Sequence, residues 1–135
     1  MKTKLITSEE NSIIGYNNVP YENLMEIDNG SCFELYIGNE VLKLVPNQVF
    51  ENFMKTCCSK IRLNGTLIIT GRDIMKISLS YVHRYITEEN LSELLYNSTG
   101  FYNCRLVEEE IKKNGLKIHS MSILENNFIV RGIRE

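Results

Sequence analysis

The chain has 135 residues, 43% of them apolar and 24% charged, with a formal net charge of −2. These values suit one soluble globular domain with its own core, and the scattered Lys and Arg form no basic block that would suggest nucleic-acid binding. No apolar run reaches the length of a membrane span, and Met1-Lys2-Thr3-Lys4 is followed by only two apolar residues, so neither a membrane contact nor a signal peptide is expected.

In chain order, Lys4–Thr7 is a short strand. Ser8–Gly15 is polar and turns. Val19–Leu24 is a poor second strand, because Pro20 limits its ladder bonds. Asp28-Asn29-Gly30-Ser31 is a turn, and Cys32–Ile37 alternates apolar and polar residues as a strand does. Pro46–Ile61 reads as the best helix: Val49, Phe50, Phe53, Met54, Cys57 and Ile61 recur at helical spacing, and Pro46 suits the first turn. Packing through Phe50, Phe53 and Cys57 is expected. Arg62-Leu63-Asn64-Gly65 is a turn into the compact apolar strand Leu67–Ile69, which suits a buried place in a sheet.

Thr87 caps a helix over Glu88–Asn97, with Leu91, Leu94 and Leu95 facing inward. Asn103 caps a second over Cys104–Asn114, which Gly115 ends at a left-handed position. Leu116–Leu124 and Phe128–Ile133 form a closing hairpin across Glu125-Asn126-Asn127. Strands alternating with helices before a hairpin predict an α/β fold: a small Rossmann-like, mostly parallel sheet with helices on its faces and an antiparallel C-terminal edge. Phe128, Ile129 and Val130 are the expected site of edge pairing.

The four cysteines, Cys32, Cys57, Cys58 and Cys104, form no C-x-x-C pair, and His83 and His119 are the only histidines. No metal site is expected; reduced, buried thiols in a cytoplasmic protein are.

The order of these segments resembles a shortened class I S-adenosylmethionine-dependent methyltransferase. Gly15-Tyr16-Asn17-Asn18-Val19 resembles the "G-y-x-N-V" stretch of a compact subfamily. Phe33–Ile37 and Glu40–Val45 stand where its next strand and "hvLEHl" segment stand. Ile61-Arg62-Leu63-Asn64-Gly65 and Arg72-Asp73-Ile74 stand where "L-K-P-G-G" and "P-D-L" bracket its fifth strand, and Leu106–Leu116 with the last two strands matches its ending. The resemblance implies that ligands sit outside the carboxyl ends of the strands. By position it implies Ser8, Asn11, Gly15, Asn39 and Glu40 as cofactor-side residues, and Asp73 and His83 as catalytic candidates. Against those roles stand an Asp73 that caps the next segment and a structural His83.

The departures fall on the cofactor side. Thr7-Ser8-Glu9-Glu10-Asn11-Ser12 replaces the glycine-rich loop and puts two acids where the cofactor carboxylate would lie. Pro20 stands in place of the ribose-binding acid, and Lys43-Leu44 in place of Glu-His. The expectation is therefore a methyltransferase-fold protein without productive cofactor binding. It would act as a structural or regulatory module, as a homo-oligomer or with a protein partner. A phage-encoded or virion-associated accessory role would suit the short chain and its AT-rich-genome composition. The alternative is a minimal S-adenosylmethionine-dependent methyltransferase, active as an oligomer or with a partner chain.

Overall fold

The computed structural model of this protein describes residues 2–6 and 14–135. Strands β1 (Lys2–Ile6), β2 (Asn17–Pro20), β3 (Cys32–Ile37), β4 (Ile61–Arg72), β5 (Lys117–Leu124) and β6 (Asn127–Ile133) form one sheet in the order β2-β1-β3-β4-β6-β5. The first four pair in parallel. The hairpin β5–β6 adds antiparallel to β4. The helices are α1 (Asn39–Leu42), α2 (Phe50–Ser59), α3 (Ile74–Val82), α4 (Glu88–Leu94) and α5 (Cys104–Lys113), with short 3-10 turns over Tyr21–Glu26 and Asn47–Val49. The expected fold class is what the structure shows.

Strand alternation and register place Leu5, Leu35, Ile37, Leu67, Ile69, Phe128 and Val130 on one face of the sheet. There they join Phe50, Met54 and Cys57 of α2 and Val107 and Ile111 of α5 in the hydrophobic core. The opposite face carries Lys4, Glu34, Tyr36, Ile68 and Arg131. Its Ile68 is buried but stands outside that core cluster.

Several boundaries differ from the expectation. Helix α2 begins at Phe50, not Pro46, because residues 47–49 wind as a 3-10 turn, and Ile61 already belongs to β4. On α2 the buried side is Phe50, Met54, Cys57 and Cys58, while Phe53 sits on the flank, half-buried against the core. The turn Arg62–Gly65 is an excursion within β4. The pairing partner of β3 jumps there from Ile61 to Thr66, and Asn64 takes a left-handed φ of 66°. The chain continues through Pro20 into a 3-10 turn, so the second strand ends earlier than expected.

Helix α3 has no counterpart in the sequence reading. Helix α4 buries none of its residues, so Leu91, Leu94 and Leu95 are half-exposed and not core. The caps at Thr87 and Asn103 are present, and Gly115 has a φ of 83°. Strand β6 is interior, between β4 and β5, with Phe128 and Val130 in the core; it cannot serve as the pairing edge. All four cysteines are free and buried. Among the described residues no helix is long and apolar enough to cross a membrane, and no three His, Cys, Asp or Glu side chains cluster to hold a metal ion.

Candidate functional site

In a sheet of this kind ligands sit beyond the carboxyl ends of the parallel strands. Here those ends are Ile6, Pro20, Ile37 and Arg72. Gly38 extends β3 and forms the N-cap of α1, which brings Asn39 beside the end of β4. The Asn39 Oδ1 accepts a hydrogen bond from the Arg72 backbone N–H at 3.1 Å. Glu40 is exposed and pairs with Lys43 at 3.1 Å, one helical turn on. That contact is a surface pair of small energetic weight.

Asp73 is 2% exposed, and both of its carboxylate oxygens are in use. The Lys76 N–H donates to Oδ1 at 2.9 Å, which makes Asp73 the N-cap of α3. The Cys104 N–H, at the start of α5, donates to Oδ2 at 2.9 Å. Its backbone joins three segments as well: it bridges to Tyr102, and its N–H donates to the Asn126 carbonyl of the hairpin turn. One buried carboxylate thus ties together α3, α5 and the end of β4.

His83 is exposed at the C-cap of α3, with its ring 6.1 Å from that of Tyr85. Asp73 and His83 therefore occupy opposite ends of one helix. At about 1.5 Å of rise per residue they lie roughly 15 Å apart along its axis, and the structure does not bring them together. Gly15 is exposed in the turn before β2 at a φ of 92°. Ser8 and Asn11, with Glu9 and Glu10, lie outside the described residues.

Among the described residues, the hollow at the ends of β3 and β4 is almost filled. A cavity of about 20 Å³ remains between Asn39, Arg72, Ile77, Leu94, Leu95 and Tyr102, roughly the room of one water. The sequence reading missed what closes it. The Arg72 guanidinium donates to the carbonyls of Glu93 and Leu94, the last residues of α4. A cation at a helix C-terminus is favourable, so this contact holds α4 beside the end of β4. The segment after α4 is then fastened down. Thr99 and Gly100 donate their N–H groups to the Lys43 carbonyl at 2.7 and 3.0 Å.

Asn47 brackets Phe101, donating to its carbonyl and accepting from its N–H. The Tyr102 hydroxyl donates to the Val45 carbonyl, and its ring lies 4.5 Å from that of Phe50. Burial pushes the Tyr102 phenol up to about 12. A side chain at Gly100 would overlap the Val45 carbonyl, so only glycine allows this close approach. The signal for the closure was the Leu94-Leu95 pair ending α4, with an arginine at the strand end to receive the helix terminus.

S-adenosylmethionine is the cofactor the fold implies, and the described residues fit it poorly. The side chain of Pro20 at the end of β2 offers no acceptor for a ribose. The Asn39 Oδ1 and both Asp73 carboxylate oxygens already accept backbone N–H groups. The connection between β1 and β2 is ten residues, 7–16, short for a parallel crossover, which usually takes about a dozen or more.

The fold itself is that of class I methyltransferases. The chain superposes on an O-methyltransferase family protein from Burkholderia thailandensis with a TM-score of 0.62 at 7% identity, covering 89% of this chain and 35% of that one. It superposes on a methyltransferase of Thermotoga maritima, described as a possible histamine N-methyltransferase, with a TM-score of 0.60 at 16% identity, covering 89% and 63%. A methyltransferase from Archaeoglobus fulgidus gives a TM-score of 0.59 at 12% identity, covering 89% and 68%. The chain thus spans between about a third and two thirds of the length of these proteins. No family model and no curated protein matches the sequence.

Proposed function

We propose that this protein is a methyltransferase-fold module that does not hold S-adenosylmethionine productively. It acts through its surface, as a structural or regulatory partner of its own copies or of another chain. The observation that carries this reading is the closure, among the described residues, of the hollow at the ends of β3 and β4 by Arg72, α4 and Tyr102, which leaves about 20 Å³. Pockets for ligands of cofactor size usually measure about 300–1,000 Å³. The occupied oxygens of Asp73 and the proline at the end of β2 support the same reading. A phage-borne accessory role fits it and rests on length and composition alone.

The retained strand order keeps a second reading in play, a minimal methyltransferase that opens α4 with a partner or as an oligomer. Calorimetric titration of S-adenosylmethionine into the pure protein separates the two. Heat that fits micromolar binding overturns the first reading and returns Asp73 and His83 to the list of site residues; no heat at about 100 μM ligand supports it.

A further inference from the structure

We propose that β5 is a self-association edge: a second copy pairs with it antiparallel about a two-fold axis through Ser122, and two six-stranded sheets become one. The inference goes beyond the cofactor question, since an enzyme and a non-enzyme could both assemble in this way.

Among the described residues the outermost strands of the sheet are β2 and β5. Strand β2 is four residues long and ends in Pro20, two of the devices that keep an edge from pairing. Strand β5 is eight residues long, has no proline, and carries its one formal charge at its first residue, Lys117. Its single irregularity lies between Ile118 and Ser120. Ser120–Leu124 is therefore a regular, uncharged stretch whose outer backbone groups meet no strand among the described residues.

The side chains favour a copy of the same strand as the partner. Met121 and Ile123 pair with Val130 and Phe128 of β6, so they lie on the core-bearing face. Unlike those neighbours they are 50% and 48% exposed, at the margin of the core. An antiparallel register centred on Ser122 sets Met121 of each copy opposite Ile123 of the other, twice by symmetry. The four side chains then form one apolar cluster across the axis. Leu124, 77% exposed, comes to lie opposite Ser120 on the other face. A register centred on Met121 would instead set Ile123 against His119, at the irregularity.

Charge selects the direction. Lys117 begins the strand and Glu125 follows its last residue. Antiparallel pairing about Ser122 sets Glu125 opposite His119, and sets Lys117, which pairs with Glu135 of its own chain at 3.8 Å, opposite Asn127, whereas in-register parallel pairing would set Lys117 against Lys117 and Glu125 against Glu125.

The test uses the intact protein. In the proposed register, residue 122 faces itself at a Cα separation of about 4.5–5.5 Å, within the roughly 4.4–6.8 Å a disulfide spans. All native cysteines are buried and do not compete. Wild-type protein is expected to sediment as a dimer at about 100 μM. Ser122→Cys should form a disulfide-linked dimer under mild oxidation at least tenfold faster than Ser120→Cys. Met121→Lys should sediment as a monomer with an unchanged circular-dichroism spectrum. A monomeric wild type overturns the proposal, as does a Ser120→Cys variant that links as fast as Ser122→Cys. If Met121→Lys unfolds, the comparison of the two cysteine variants decides alone.

Discussion

Asp73 shows how one side chain can hold a fold together at the position where the fold usually does chemistry. Its two oxygens satisfy the first-turn N–H groups of two helices, and it is almost wholly buried. Removing it leaves the buried Cys104 N–H unpaired, at a cost of roughly 1–3 kcal/mol, and removes the part-buried N-cap bond to Lys76, worth roughly 0.5–2 kcal/mol. Asp73→Ala should therefore lower stability by about 2–4 kcal/mol. Asp73→Asn, which keeps one acceptor and turns an amide N–H toward the other donor, should fall between it and wild type. Urea denaturation measures both; an unchanged midpoint for Asp73→Ala would mean that the double cap is not formed.

The thiols give a second residue-scale expectation. Burial pushes the Cys57 thiol well up and Cys58 up to about 12 from an ordinary 9.0. Cys104 is raised by burial first, then by Asp73 and Glu108. A thiol reagent at pH 8 should thus find no reactive cysteine in the native protein, and all four after unfolding. Since the folded state raises these values, the associated stability is complete below pH 9 and is lost as pH rises toward 12. Tyr102, raised by burial from 10.0 to about 12, acts in the same direction over the upper part of that window. The thermal midpoint should be level from pH 7 to about 9 and then fall. Rapid labelling of Cys57 or Cys58 in the native protein would show that the α2 face is open.

At the scale of elements, α2 separates a residue on the core face from one beside it. Phe50 is 3% exposed with its ring tilted against that of Tyr102, while Phe53 is only half-buried. Phe50→Ala should cost about 3–5 kcal/mol through the cavity it leaves. Phe53→Ala should cost less than half as much, because solvent reaches that site already. Equal shifts in the urea midpoint would show that the helix is rotated relative to the sheet.

The same helix shows what could be read from the sequence. Apolar spacing located α2, since periodicity reports which residues share a face. It could not distinguish the centre of that face from its flank, because Phe50, Phe53, Met54 and Cys57 all satisfy the pattern. Caps at Thr87 and Asn103 were legible because each is a local hydrogen bond between residues three apart. Helix α3 was not legible. Its residues Ile74–Val82 carry Met75, Leu79 and Val82 outward opposite the buried Ile77, so no amphipathic contrast marks it. The site was least legible of all. Asp73, Asn39 and Glu40 could be placed at strand ends from their order alone. The closure by Arg72 and α4 depends on residues 21 and 22 positions apart in the chain, a tertiary contact that no local pattern encodes.

For the molecule as a whole, the cofactor question becomes a measurable shift in stability. Productive binding in this fold relies on close backbone approach at a glycine-rich loop and on an acid that holds the ribose. Here the sequence after β1 reads Thr7-Ser8-Glu9-Glu10-Asn11-Ser12, and β2 ends in Pro20. Each lost hydrogen bond to a charged group weakens binding by about 1.5–3 kcal/mol, and each 1.4 kcal/mol is roughly tenfold in affinity. Two such losses move a dissociation constant of about 1 μM to about 100 μM or beyond. A third contribution, from opening α4 to make room, carries it toward roughly 1 mM. At about 100 μM ligand, a dissociation constant of about 1 mM adds only about 0.06 kcal/mol of stability, whereas one of about 1 μM adds about 2.7 kcal/mol. For a domain of this size 1 kcal/mol corresponds to roughly 3–5 °C. The expected thermal shift with S-adenosylmethionine is therefore below about 0.5 °C, against about 10 °C for a working site. A shift of several degrees would mean that α4 opens readily and that the strand ends still form a binding site.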